Sequence, residues 1–226
     1  SVEGGPHRIV FTLPPMIVAT LRLLWSLPTT DARTTPNLLE GGPPQITRQE
    51  LFAFAHEMCT RLGSIAPVEG LRQSLLCASS ADRADKNGFG NRAACCQLFL
   101  NSALACLEAN VKDSDTQFLG LQLLVGVLRQ TSCLENKCYA QIADRAVHFA
   151  GRLSTKRLQS RAFNLCSGLF WCPASHEPGR ALSCIRMALR LADSAIHIDP
   201  MDVALFVEVL DHAAQHFASG SEEVTA

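Results

Sequence analysis

Apolar side chains recur three or four positions apart along most of this chain, which is the spacing that places them on one face of an α-helix. No segment alternates between apolar and polar residues for long enough to predict a β-strand. The pattern therefore predicts an all-α protein. The clearest helical stripes consist of Leu51, Ala55, Met58 and Leu62; Ile142, Ala146, Phe149 and Leu153; Leu182, Ile185, Leu189, Ala192 and Ile196; and Phe206, Leu210, Ala213 and Phe217.

Local capping chemistry marks where the helices begin. Thr47, followed by Glu50, has the spacing of a capping box, and Asp199 lies just before Pro200, which the first turn of a helix tolerates. Thr12, two residues before a proline pair, indicates a similar start. We predict helices over about residues 12–27, 47–63, 67–84, 90–111, 114–131, 136–153, 157–171, 179–198 and 201–218, with a flexible loop at 28–46 and a polar tail at 219–226.

The predicted helix starts lie about 22 residues apart, so that two helices make a unit of about 44 residues, within the length of HEAT-like repeats. A hairpin with a short loop can bury its apolar stripe only against neighbouring hairpins. A compact bundle is the alternative, but this number of helices exceeds the usual four-helix scheme. We therefore predict an α-solenoid of HEAT-like helical hairpins, forming one array over residues 1–226.

Composition excludes several classes of protein. The 226 residues carry 20 basic and 21 acidic side chains, and only 6% of them are aromatic, which argues against a basic nucleic-acid module. The apolar fraction of 47% argues against a disordered chain. The apolar run at 118–128 is too short to span a bilayer. The chain opens at Ser1 without a leader, so we expect an internal fragment.

The ten cysteines do not form a recognisable framework for disulfides or zinc. There is no Cys-x-x-Cys pair, and most of the cysteines fall within the apolar helical pattern, where a free thiol behaves as a small hydrophobic group. We therefore expect reduced core thiols in a cytosolic protein.

Two local arrangements have the residue types of a metal-binding or a reactive site. Glu208, His212 and His216 are four residues apart on one helix face, but a zinc-protease motif needs Glu directly after the first His, where Ala213 stands. We expect a solvated face with a Glu–His pair instead. The Cys95–Cys96 pair lacks a nearby base in the sequence and is interpreted as packing. No catalytic residue, metal or cofactor is predicted.

One basic cluster gathers around the junction after the helix that contains Leu153. Its members are Arg152, Lys156, Arg157 and Arg161. Cations near a helix C-terminus interact favourably with the helix dipole, which would make the cluster purely structural. A docking surface for an acidic partner explains it equally well, and the residues alone leave both interpretations open.

Five segments, taken in order, resemble the C-terminal half of the retromer large subunit, the vacuolar protein sorting-associated protein 35 family. The likeness covers about residues 8–218. Each piece is short, but the ordered series is specific. The segments are Arg8-Ile-Val-Phe-Thr-Leu-Pro-Pro15, Phe52-Ala-Phe-Ala-His56, Leu123-Leu-Val-Gly-Val127, Leu169-Phe-Trp171 and Leu205-Phe-Val-Glu-Val-Leu210.

The resemblance implies a non-catalytic scaffold subunit of retromer, an endosomal coat for retrograde protein transport. It implies a cytoplasmic protein, peripheral on the cytosolic face of endosomes, that reaches the membrane only through other coat components. In the family this half binds the small retromer subunit, vacuolar protein sorting 29, which has a metallophosphoesterase fold, and it also supports self-association of the coat. No nucleic acid partner is implied. Which residues contact the small subunit is not assigned by the resemblance.

The same resemblance gives the basic cluster a role. Arg152, Lys156 and Arg157 fall where the family has a lysine-rich junction linked to self-association, while Thr155 replaces one of its basic positions. We therefore expect these three residues to bind protein. The alternative function is another HEAT-like protein-binding adaptor outside retromer.

Overall fold

A computed structural model describes residues 6–27, 46–84 and 91–221. The predicted loop lies outside these residues except for Ile46, and so does the end of the predicted tail, residues 222–226. The elements are α1 Pro6–Ser26, α2 Arg48–Ile65, α3 Pro67–Arg83, α4 Arg92–Asn110, α5 Ser114–Gln130, α6 Asn136–Ala150, α7 Lys156–Ser167, β1 Trp171–Cys172, β2 Ser175–His176, α8 Pro178–Ile196, a 3₁₀-helix Pro200–Val203 and α9 Ala204–Ser221.

The structure confirms the predicted fold class, all-α and built from helical hairpins of the α-solenoid type. It divides into two compact units. The first contains α1–α4 together with residues 132–135, and the second contains α5–α9 with the two short strands. In each unit, helices that follow one another along the chain pack against each other, as stacked hairpins require.

The core of the first unit is centred on α2, α3 and α4. Phe52 and Phe99 are fully buried, and their rings meet edge to face with centroids 6.0 Å apart. The predicted capping box is confirmed, since the Thr47 side chain accepts from the Glu50 N–H and the Glu50 carboxylate accepts from the Thr47 N–H. Near the C-terminus of α3, Asp82 Oδ1 accepts the N–H groups of residues 132 and 133. These bonds attach the segment at residues 132–135 to α3.

The predicted start of the first helix is wrong, because α1 begins at Pro6 and carries Pro14 and Pro15 inside it. The Thr12 hydroxyl donates to the Arg8 carbonyl at 2.9 Å, so Thr12 acts inside the helix and not as its cap. The prolines remove only two backbone donors, and burial of apolar side chains against α2 favours the longer helix. The buried side chains are Leu13, Ile17, Leu21 and Leu24.

Helix α1 is also the one helix of the described residues that is long and apolar enough to cross a membrane. The statement rests on the length and composition of residues 8–26 only. Core helices of globular proteins can have the same length and composition. Here one face of α1 packs against α2, and Phe11 and Trp25 on other faces are exposed. The helix therefore forms an edge of the first unit.

In the second unit, α7 is the central helix and packs against α5, α6, α8 and α9. The predicted helix at 157–171 is too long, because α7 ends at Ser167. The next residues form a tight hairpin in which Trp171 pairs with His176 and Cys172 with Ser175, so the expectation of no strand is wrong here. Strands of two residues are too short to show a period of two in the sequence.

Two other helix ends differ from the predictions for local reasons. Helix α6 ends at Ala150, although Leu153 continues its apolar stripe and is buried from within the following turn. The last predicted helix begins as a 3₁₀-helix at Pro200, where Asp199 caps the N–H of Met201, and becomes α-helical at Ala204. It extends to Ser221, three residues into the predicted tail.

The buried faces of α8 and α9 are displaced from the predicted stripes by about one position. Helix α8 buries mainly small side chains, which allows close packing on α7, and Leu182 is 41% exposed. Helix α9 buries Leu205 and Val209, while Leu210 is 61% exposed. Bulky apolar residues dominate a sequence pattern, but alanines can form the closer contact.

Candidate protein-interaction site

The predicted binding residues Arg152, Lys156 and Arg157 all lie exposed at the junction between α6 and α7. Arg152 makes no ion pair with any described residue. The Lys156 ammonium donates to the Gln159 amide oxygen at 3.3 Å, and Arg157 Nε lies 3.5 Å from a carboxylate oxygen of Asp202. We call these three cations the junction cations.

The junction is held by hydrogen bonds that fix its backbone. Thr155 caps α7, because its hydroxyl accepts the Leu158 N–H at 3.2 Å. The Gln159 amide donates to the carbonyls of Gly151 at 3.1 Å and Leu153 at 2.7 Å. Leu153 is buried beneath these contacts. The turn therefore presents its cations from an ordered backbone.

The helix dipole does not account for two of the junction cations. Arg152 follows the C-terminus of α6, where a positive charge is favourable, but Lys156 and Arg157 occupy the first turn of α7. Positive charge at a helix N-terminus opposes the dipole. The helix dipole therefore explains only Arg152. Arg157 has the Asp202 carboxylate as a partner instead, and the dipole does not explain Lys156.

Arg161 does not belong to this surface. Its guanidinium faces α9 and binds the Glu208 carboxylate with two bonds, Nε to Oε2 at 2.8 Å and Nη2 to Oε1 at 2.5 Å. A bidentate contact of this kind is the strongest geometry for an arginine–carboxylate pair. The expected Glu208–His pair is therefore wrong, because the carboxylate bonds to Arg161 and not to a histidine.

The two histidines of α9 are half-buried against α7, so the expected solvated face is also wrong. His212 Nδ1 lies 3.1 Å from Asn164 Oδ1, and His216 Nε2 lies 3.0 Å from the Ser167 hydroxyl. The two imidazole rings are 4.6 Å apart. Within the described residues, no group of three His, Cys, Asp or Glu side chains could hold a metal ion.

The hydrogen-bond donors define the roles of Ser167 and His216. A serine hydroxyl beside an imidazole can be a nucleophile with its base. Here the Ser167 hydroxyl donates to the Asn164 carbonyl at 2.6 Å, so its proton is directed away from the ring. His216 Nε2 must then donate to Ser167, and the pair joins α7 to α9 structurally.

Burial and positive neighbours keep both histidines neutral. Desolvation lowers the pKa of His216 to about 4, with the nearby His212 and Arg129 adding to the effect. Desolvation also lowers the pKa of His212, again with Arg129 contributing. Arg129 lies against Gly168 at the end of α7, where an added Cβ would come within 3.2 Å of its guanidinium. A cation is thus fixed close to the rings.

We predict that acid destabilises the chain through His216. Its pKa of about 4 in the fold lies below the ordinary value of 6.5, so the unfolded chain binds a proton first as pH falls. Stability should be constant above about pH 7 and should decline between pH 6.5 and about 4. Urea unfolding across this range measures it. His216→Gln should flatten the decline, whereas His148→Gln at an exposed position should leave it intact; equal slopes in both variants would contradict the assignment.

Two cavities open on the second unit, and neither was evident from the sequence. A cleft of about 380 Å³ with a mixed polar and apolar lining lies among α5, α7 and α9, and an apolar pocket of about 200 Å³ lies beside the β-hairpin. The first is lined by Phe118, Gln122, Arg161, Asn164, Leu165, Glu208 and His212. The second is lined by Trp171, Pro178, Ala181, Leu182, Ile185, Ala213 and His216.

Stacked helical hairpins and an ordered basic junction define the class of this protein as a helical-repeat scaffold of the α-solenoid type. A family model narrows the class. The model for vacuolar protein sorting-associated protein 35 matches residues 1–226, and the chain belongs to that family.

Curated relatives from plants, an amoeba and a yeast support the family assignment. Vacuolar protein sorting-associated protein 35A of Arabidopsis thaliana is 28% identical over 239 residues, which cover 99% of this chain and 28% of that protein. Vacuolar protein sorting-associated protein 35 of Dictyostelium discoideum is 25% identical, covering 92% and 26%. The Schizosaccharomyces pombe protein of the same name is 26% identical, covering 66% and 18%. The chain thus spans about 28% of the length of the plant relatives.

Proposed function

We propose that this chain is a non-catalytic scaffold segment of the retromer large subunit. In this role it binds the metallophosphoesterase-fold small subunit of the vacuolar protein sorting 29 family and supports self-assembly of the coat. It acts on the cytosolic face of endosomes, attached through other coat components. The observation that carries the proposal is the family match over the whole chain, together with a fold made of helical hairpins.

A scaffold needs fixed surfaces, and the second unit supplies them. Helix α7 is held between four helices. The connection between α8 and α9 and the first turn of α9 display large apolar side chains. Ile198 is 77% exposed, Met201 84% and Val207 66%. A group of exposed apolar residues is typical of a protein-binding surface. These features favour partner binding over catalysis.

Co-elution tests binding of the small subunit. The chain and a small subunit from the same organism, mixed at micromolar concentrations, should elute together in size-exclusion chromatography with near-equal stoichiometry. A different metallophosphoesterase-fold protein serves as the control and should elute separately. Separate elution of the chain and the small subunit would contradict the proposal and would favour the alternative adaptor function outside retromer.

We further propose that the junction cations mediate self-association. Two of them occupy the first turn of α7, where the dipole disfavours them, and all three are exposed on an ordered turn. A surface held in this way is suited to an acidic patch on a second copy. The remaining cation of the sequence cluster, Arg161, is excluded because it binds Glu208.

Reversal of the junction cations should weaken self-association. We expect the triple variant Arg152→Glu, Lys156→Glu and Arg157→Glu to raise the dimer dissociation constant about tenfold or more, because like charges would then face each other across the contact. Multi-angle light scattering over a concentration series measures the mass. Circular dichroism should show unchanged helix content, since all three side chains are exposed.

A control variant with the same change in net charge makes the result specific. Lys137, Arg186 and Arg190 are exposed on α6 and α8, and their replacement by Glu should leave the dimer intact. If both triple variants weaken the dimer equally, net charge and not the junction would be responsible. An unchanged mass in the first variant would remove the junction from the proposal.

A further inference from the structure

Two buried thiols face each other inside the first unit. Cys59 on α2 and Cys77 on α3 are 2% and 0% exposed, and their Sγ atoms lie 3.9 Å apart. Neither residue belongs to the junction cations or lines either cavity of the second unit. The contact joins consecutive helices and is suited to covalent chemistry between two sulfur atoms.

The sulfur atoms meet because α2 and α3 approach unusually closely. A Cβ added to Gly70 would lie 2.4 Å from the Cα of Gly63, so the two backbones touch where the helices cross. Cys59 lies one turn before Gly63, and Cys77 lies two turns after Gly70. The glycine contact therefore brings these turns within reach of each other. Small shifts of the side chains could close the distance to the roughly 2.05 Å of a disulfide bond.

The two thiols are chemically unequal, which suits a reaction between them. Hydrogen bonds from Cys77 and Ser74 favour the thiolate of Cys59 and lower its pKa, while burial acts against them. The hydrogen bond to Cys59 and burial both raise the pKa of Cys77. Burial raises the pKa of Cys166 and Cys184, so those thiols are less nucleophilic.

We propose that Cys59 and Cys77 form a redox-active dithiol that peroxide converts into an intramolecular disulfide joining α2 to α3. The Cys59 thiol loses its proton and the thiolate attacks one peroxide oxygen. The O–O bond breaks, Cys59 becomes a sulfenic acid, and the departing hydroxide takes up that proton to leave as water. The Cys77 sulfur then attacks the Cys59 sulfur, the S–S bond forms, and the S–OH oxygen and the Cys77 proton leave as a second water. In sum, two thiols and one hydrogen peroxide give one disulfide and two waters. The product is a covalent cross-link between α2 and α3 within the first unit.

The positions of the arginines allow an unambiguous test on the unsubstituted chain. The reduced protein is exposed to hydrogen peroxide, quenched with an alkylating agent in denaturant, and digested with trypsin. Cleavage after arginine places Cys59 alone on residues 49–61 and Cys77 alone on residues 73–83. We expect these two peptides to appear as one linked species at the lowest peroxide dose that oxidises any of the ten thiols, and a reductant should separate them. Recovery of both peptides unlinked, while other cysteines oxidise, would overturn the proposal.

Matched variants separate the dithiol from general oxidation. Cys77→Ser should abolish the linked species and allow Cys59 to proceed to the sulfinic acid, since no resolving thiol remains. Cys184→Ser changes one thiol of the buried pair Cys166 and Cys184 in the second unit and should leave the Cys59–Cys77 link unchanged. If the link persisted in Cys77→Ser through another cysteine, the assignment of a specific pair would be wrong.

Discussion

Replacement of Gly70 by alanine should lower the free energy of unfolding by about 3 kcal/mol, near the upper end of the range for an overpacked contact. The new Cβ would lie 2.4 Å from the Gly63 Cα, 2.5 Å from the Gly63 N and 3.2 Å from the Leu62 carbonyl carbon. All three are backbone atoms, so no side chain can rotate away. Helices α2 and α3 must separate, which also loosens the buried contacts around them.

The second unit provides a matched control for this substitution. Gly126 is an exposed residue of α5, and a Cβ added to it would meet nothing within 4 Å. Gly126→Ala should therefore stabilise the chain by up to about 1 kcal/mol, through helix propensity alone. Urea unfolding followed by circular dichroism measures both variants. Similar effects of the two substitutions would show that α2 and α3 do not touch through their glycines.

Features of the fold that depend on neighbours along the chain are predictable from the sequence. The helical period follows from burial of one face, and the Thr47–Glu50 capping box involves residues three apart. Features that tertiary contacts decide against the local signals are not predictable in this way. Pro14 and Pro15 resemble a helix start, yet packing of α1 on α2 extends the helix back to Pro6. The hairpin at Trp171 is too short to produce a pattern.

At the candidate site too, the sequence shows which residues cluster, but tertiary packing decides what they contact. The cations cluster in the sequence at 152–161, but which of them face solvent depends on partners far along the chain. Arg161 meets Glu208 across 47 residues, and Arg157 meets Asp202. The histidine spacing on α9 was visible, whereas its contacts with Asn164 and with Ser167 arise only when α9 packs on α7. No local rule specifies such pairs.

Reversal of Glu208 to arginine should lower the free energy of unfolding by about 2 kcal/mol and loosen α9 from α7. The Arg161 and Glu208 side chains are 29% and 40% exposed, so the cost should fall between that of a surface pair and a buried pair. The variant loses both bonds of the bidentate contact and places a second cation beside Arg161. Hydrogen exchange should show faster exchange of α9 amides, because the ion pair between Glu208 on α9 and Arg161 on α7 is lost.

A charge-swapped double variant tests whether the two residues act as a pair. Arg161→Glu combined with Glu208→Arg restores opposite charges at the same positions, and it should recover about half of the stability lost in the single reversal. The recovery should be incomplete, because Arg161 is held by the packing of α7 and the swapped side chains cannot reproduce its geometry. If the stability loss of the double variant equals the sum of the losses of Arg161→Glu and Glu208→Arg, the two residues are not coupled. In that case α9 would be held mainly by its buried apolar residues Leu205 and Val209 and by the Asn164 amide, which donates to the Glu208 carbonyl at 3.3 Å.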